Sequence, residues 1–129
     1  MRSVAVRNGP GAFGVEASIG PHTQVLDEPV AEGGDDAGPT PREALLASLG
    51  ACTSATVKLY ARRKGWQIDD VVVELSLTAE PGKKARIDKR VVITGALDAE
   101  QLKRCYEIAG KCPVHKMLVE GVELIEQHG

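Results

Sequence analysis

Aromatic residues are nearly missing: one Trp, two Tyr and one Phe make up 3% of 129 residues. A surface that holds nucleic acid by stacking bases on rings has no material here. No sign of charge dominates either. Sixteen Lys and Arg against 18 Asp and Glu give a formal net charge of −2, whereas a nucleic-acid partner calls for a basic footprint. Cysteine is scarce as well. Three cysteines are too few for a disulfide scaffold or a four-thiolate zinc site, and an odd number leaves a thiol over in any fully paired scheme. No pair of Cys or His shows C-x-x-C or H-x-x-x-H spacing, so no metal site is expected. There is no G-x-S-x-G and no phosphate loop, and no cofactor is expected. The longest uncharged apolar-rich stretch, Ala44 to Val57, has 14 residues, short of the roughly 20 that span a bilayer. The first residues, Met1 to Gly9, carry no apolar leader. The expectation is a cytoplasmic protein with reduced thiols, no membrane partner and no nucleic-acid partner.

What is present suits one globular domain: 43% apolar and 26% charged residues. Val4 to Arg7, Phe13 to Ile19 and Thr23 to Leu26 alternate as strands, with turns at Asn8-Gly9-Pro10-Gly11 and Gly20-Pro21. Residues 29–41 hold three Pro and three Gly and read as a long loop of the functional or partner-crossing kind. Thr40, Pro41 and Glu43 then form a helix start, with Thr40 as N-cap and Glu43 completing a capping box. The helix runs to Lys64 and stops at Gly65. Its first half is uncharged on every face and so needs cover all round, part of it expected from another subunit. Val71 to Thr78 and Ile87 to Thr94 follow as paired strands. Asp98 and Gln101 open a second helix that buries Leu102, Cys105 or Tyr106, and Ala109. Cys112 and Pro113 open a short third helix over Val114 to Leu118, and Val122 to Ile125 reads as a last strand. The expected architecture is α+β with an antiparallel sheet: N-terminal strands 1–28, loop 29–41, central helix 42–64 and a C-terminal ββααβ part 66–129.

The cysteines carry the candidate chemistry. Cys112 falls at a helix start, where unpaired N–H groups favour a thiolate, with Lys111, Lys116 and His115 near it in sequence. The same position also fits a half-buried Cys that begins a turn. Cys52 sits in the apolar helix, where a free Cys normally packs as a small hydrophobe. Against that, Gly50 and Ala51 leave room beside the sulfur, and Thr53, Ser54 and Thr56 bring hydroxyls into an apolar stretch. Cys105 reads as core filler. The capping box accounts for Glu43 by itself. A second role for it would be to organise a cation such as Arg42 near the Cys52 helix. His22 and His115 are further polar candidates. A site that binds metal through Cys52, Cys112 and a His lacks any supporting spacing.

The run Gly33 to Val57, continued by Tyr60-Ala-Arg-Arg-Lys-Gly-Trp66, resembles the OsmC/Ohr family of peroxide-handling proteins. The segment Ala109-Gly-Lys-Cys-Pro-Val-His-Lys-Met-Leu118 resembles that family's second cysteine motif. The resemblance implies the family's α+β fold, an intertwined homodimer with sheets wrapped around long central helices. It also implies thiol-dependent reduction of organic hydroperoxides, regenerated by a dithiol reductant such as a lipoyl-bearing protein. Carried onto this sequence, Cys52 matches the peroxidatic cysteine and Cys112 the resolving one. The family's functional Glu stands ten residues before the cysteine. Here that place holds Arg42, and Glu43 follows it. The family's active-site Arg comes from the N-terminal region, where Arg7 is the candidate. His22 lies in a stretch where this branch often carries a His. Because of these departures, the alternative function is a non-catalytic module of the same fold that binds a small apolar ligand or senses redox state.

Overall fold

Alternation in the first 26 residues becomes three short antiparallel strands: β1 (Val4–Asn8), β2 (Val15–Ile19) and β3 (His22–Leu26). The sheet order is β1-β2-β3, with Val4 opposite Ile19 and Ile19 opposite His22 across the Gly20-Pro21 turn. β2 starts at Val15 rather than Phe13 because residues 10–13 are consumed in the turn that Gly9 N closes onto Gly14 O at 2.8 Å. The computed structural model describes residues 1–129, which divide into two compact units, Met1–Leu45 and Leu46–Gly129.

In the first unit the Pro- and Gly-rich loop is not loose. Asp27, 2% exposed, accepts main-chain N–H groups from Glu28 (2.8 Å), Asp35 (3.2 Å) and Ala37 (3.1 Å). Those bonds hold its carboxyl below the usual carboxylate range, the Glu28 bond contributing most. A short 3-10 turn, Val30–Glu32, is set inside the loop. The capping box forms as its spacing predicts: Thr40 N–H donates to Glu43 Oε1 at 2.8 Å, and Glu43 N–H to Thr40 Oγ1 at 3.2 Å. It opens α1 (Pro41–Lys64), which begins at the end of this unit and runs on into the second.

The second unit holds the rest of α1, then β4 (Gln67–Thr78), β5 (Arg86–Ala96), α2 (Ala99–Ala109) and α3 (Pro113–Glu120). Gly65, at φ 72°, ends α1: its N–H reaches Arg62 O and the Trp66 N–H reaches Ala61 O, a left-handed cap that glycine adopts without strain. β4 and β5 pair antiparallel, with Val71 opposite Ile93, Val73 opposite Val91 and Leu75 opposite Lys89. The core joins Val57 of α1, Val71, Ile93, and Cys105 and Ala109 of α2, with Trp66, Leu97 and Leu102 packed against it. A Cβ at Gly50 would lie 3.0 Å from Leu75, so this glycine lets α1 close onto β4. α2 is capped by Asp98 and Gln101 as expected, and it buries Cys105 rather than Tyr106.

Within the chain α1 buries one stripe, Leu49, Thr53, Val57 and Ala61, while Leu45 stays 41% and Leu59 45% exposed, so this chain alone supplies only part of the cover the helix is expected to need. A stripe at four-residue spacing is what one sheet and two helices can cover. The expected last strand does not form. Val122, Leu124 and Ile125 stand exposed, because a strand needs a ladder partner and neither sheet receives one there.

Candidate active site

Cys52 and Thr53 are neighbours on α1 with different surroundings. Cys52 is half-buried, while Thr53 lies in the buried stripe with no exposed surface. Cys112 is also fully buried and stands at the N-cap of α3, where its Sγ accepts the His115 main-chain N–H at 3.3 Å. Pro113 at the first helical position fixes the turn that aims the sulfur inward. Across the fold, Cys112 Sγ meets Thr53 Oγ1 at 3.5 Å. Residues 59 positions apart in sequence are thus in contact.

Burial alone would push the Cys112 thiol up. Thr53, the His115 N–H, the Cys52 side chain and the charge of Lys89 together outweigh it and hold the thiol below its ordinary value. Cys105 shows the contrast: burial pushes it up with nothing to oppose the effect. Cys52 is close enough to Cys112 to contribute to that lowering, and all three cysteines are free thiols.

Lys89, which belongs to neither cysteine motif, completes the cluster. Its Nζ donates to Thr53 Oγ1 (3.0 Å) and to Ala109 O (3.3 Å), and it lies 3.0 Å from His115 Nδ1. Burial first, and then the Lys89 charge, push the His115 imidazole below its ordinary pKa. Its neutral form accepts at Nδ1 from the ammonium. A signal was there to be read. On β5 the inward row is Ile87, Lys89, Val91 and Ile93, so a lysine interrupts an apolar face.

The remaining candidates are placed as follows. His115 is in the cluster. Glu43 is engaged in the helix cap, which together with the Thr40 hydroxyl holds its carboxyl low. Arg7 is exposed on β1 opposite Glu16, and His22 is exposed at the start of β3. Arg42 lines a surface depression of about 520 Å³ with Glu28, Pro29, Glu32, Thr40 and Pro41, and no thiol opens into it. These residues belong to the N-terminal unit, whereas Cys52, Thr53, Lys89, Cys112 and His115 all belong to the second. Of the helix hydroxyls, Thr53 joins the cluster. Thr56 only returns a bond to Cys52 O at 2.8 Å. No group of three or more His, Cys, Asp and Glu side chains is placed to hold a metal ion.

The site thus sets a half-buried thiol, Cys52, beside a fully buried one, Cys112, that is held below its ordinary pKa. The sequence profile of the OsmC-like proteins matches residues 33–126, a span that contains both cysteines. The chain belongs to the OsmC-like family. Its fold agrees. An OsmC-like protein of Mycoplasma pneumoniae superposes with a TM-score of 0.79 at 21% identity, over 92% of this chain and 87% of that one. An organic hydroperoxide resistance protein OsmC of Legionella pneumophila gives 0.65 at 23% identity, over 90% and 88%. The organic hydroperoxide resistance protein OhrB of Bacillus subtilis gives 0.63 at 21%, again over 90% and 88%. At these identities the likeness is one of fold. No curated protein sequence matches the chain significantly.

Proposed function

We propose that this OsmC-like protein is a thiol peroxidase that reduces organic hydroperoxides in defence against oxidative stress. The thiolate of Cys52 attacks the outer oxygen of R-O-O-H, the O–O bond breaks, and the alkoxide takes a proton and leaves as an alcohol. Cys52 is left as a sulfenic acid. Cys112 then attacks the Cys52 sulfur. The S–O bond breaks, the proton lost by Cys112 goes to the departing hydroxide, and a disulfide and water result. An external dithiol, of the kind a lipoyl-bearing protein carries, returns both sulfurs to thiols and is itself oxidised. No metal or organic cofactor takes part.

The observation that carries this reading is the unequal exposure of two neighbouring thiols. Cys52 is half-buried and open to a substrate, whereas Cys112 has no exposed surface. An alkyl substrate is favoured over hydrogen peroxide where its alkyl group can be buried beside Cys52, but Gly50 does not supply the room expected of it, because the side chains of Leu75 and Val73 already pack there. Glu43, one residue past the place the resemblance gives the family's carboxylate, stands at the start of the Cys52 helix. Its observed bonds are those of a cap. Arg7, His22 and Arg42 stand as candidates to approach the substrate once the protein is assembled.

The assembly proposed is a homodimer. Leu59, Val119, Val122, Leu124 and Ile125 are exposed apolar side chains in the second unit, and a second copy would cover the open side of α1. Free thiols in a redox cycle suit a reducing cytoplasmic setting.

Cumene hydroperoxide consumption with dihydrolipoamide as reductant tests the proposal. Wild type should turn over, and Cys52→Ser should fall to the uncatalysed rate. Equal rates would refute the peroxidase reading and leave the ligand-binding or redox-sensing alternative.

A further inference from the structure

A lysine in the inward row of a strand needs an explanation. Lys89 is half-buried, and no carboxylate lies within ion-pair distance of it. Its three polar neighbours, Thr53 Oγ1, Ala109 O and His115 Nδ1, are all uncharged acceptors and use up the three protons of an ammonium. A partly desolvated cation without an anion is costly, and structures normally supply a counter-charge. The nearest group able to become one is Cys112, one hydroxyl away.

We propose that Lys89 is a positioning residue for the second half of the cycle: through the Thr53 hydroxyl it stabilises the thiolate of Cys112 and so readies it to attack oxidised Cys52. The inference rests on the peroxidase reading for its purpose, but the charge pairing itself can be measured without any peroxide.

The geometry describes a switch with one proton. Thr53 Oγ1 receives a hydrogen bond from Lys89 and donates its own proton to Leu49 O at 2.9 Å. In that state the Cys112 thiol can only donate to Thr53. When Cys112 ionises, the Thr53 hydroxyl turns from Leu49 O to the sulfur at 3.5 Å. The Leu49 carbonyl keeps the main-chain donor of the helix. Lys89 holds the hydroxyl oxygen in either state, so the turn moves one hydrogen and no heavy atom. The titratable groups that meet Cys112 are Cys52 from α1, Lys89 from β5 and His115 from α3. α2 contributes the Ala109 carbonyl that helps anchor Lys89.

The arrangement also fixes the order of events. A thiolate sealed from solvent cannot meet a hydroperoxide, and it becomes useful only once Cys52 carries an oxygen. Loss of Lys89 should therefore slow disulfide formation. A longer-lived sulfenic acid is exposed to a second peroxide and to sulfinic acid formation.

The test is a thiolate titration by absorbance at 240 nm in the Cys52→Ser protein, with and without Lys89→Met. Cys105 remains, but burial pushes it up, away from the Cys112 transition. The titration is read above pH 7, where His115 is neutral whether or not Lys89 faces it. Lys89→Met should raise the Cys112 midpoint by about one pH unit or more. Lys89→Gln, which removes the charge but keeps a polar end to the side chain, should raise it as well and carries the test if Lys89→Met does not fold. An unmoved midpoint in the folded variants overturns the inference. A protein that consumes no hydroperoxide yet shows the shift retains the Lys89–Cys112 pairing and loses the peroxidase reading. Turnover with an unmoved midpoint does the reverse.

Discussion

His115 Nδ1 lies 3.0 Å from Lys89 Nζ, so a histidine faces an ammonium across the cysteine cluster. Burial first and that charge second hold the imidazole below its ordinary pKa of about 6.5. The sign follows directly. The unfolded chain binds the His115 proton more readily than the native one, so the contribution to stability is whole above the unfolded pKa. It is lost as pH falls toward the lower native value. Wild-type protein should lose thermal stability between pH 7 and pH 5, and His115→Asn should lose less over the same interval. Parallel melting curves for the two proteins would contradict this.

Removing the inner thiol should split the catalytic cycle. Cys112→Ser should consume one equivalent of hydroperoxide in a burst and then stop, with Cys52 held as a sulfenic acid that dimedone traps. Steady turnover with dithiol by this variant at the wild-type rate would mean that Cys112 has no part in resolution.

The core of the second unit should behave as a packed hydrocarbon interior. Val57 has no exposed surface and contacts the cluster of Val71, Ile93, Cys105 and Ala109. Val57→Ala should cost about 2 kcal/mol in chemical denaturation, from lost transfer energy and the cavity left behind. A loss below about 0.5 kcal/mol would show that the helix is not seated on the sheet as described.

Asp27 should matter more to the loop than to the strand it ends. Its carboxylate takes three main-chain N–H groups, and Asp27→Ala leaves those donors without a partner inside the unit. Faster proteolysis within residues 28–39 and a lower melting temperature are expected. Asp27→Asn should fall between the two, because one amide oxygen replaces part of the acceptor capacity. Cleavage at the wild-type rate in Asp27→Ala would remove the carboxylate from this role.

Much of this fold was legible from local chemistry. Capping boxes at Thr40/Glu43 and Asp98/Gln101, the stop at Gly65 and Pro113 behind Cys112 are signals carried by three or four adjacent residues, and each formed where its spacing placed it. What local chemistry could not supply was partnership. Val122 to Ile125 is apolar enough for a strand, but its composition says nothing about whether a neighbour exists. The site divides the same way. Cys52, Cys112 and His115 belong to motifs visible along the chain, and the structure brings them together around Thr53. Lys89 belongs to no motif. Only its place in the inward row of β5, between Ile87 and Val91, marks it, and that row is defined by the register with β4.

In the proposed cycle two thiols 60 residues apart in sequence share one oxidation event. Mass spectrometry of non-reduced peptides after one equivalent of cumene hydroperoxide tests it most directly. A Cys52–Cys112 linkage formed in near-stoichiometric yield, with Cys105 unmodified, is the result predicted. Cys52 carried only to sulfinic acid, or a linkage that includes Cys105, would contradict it.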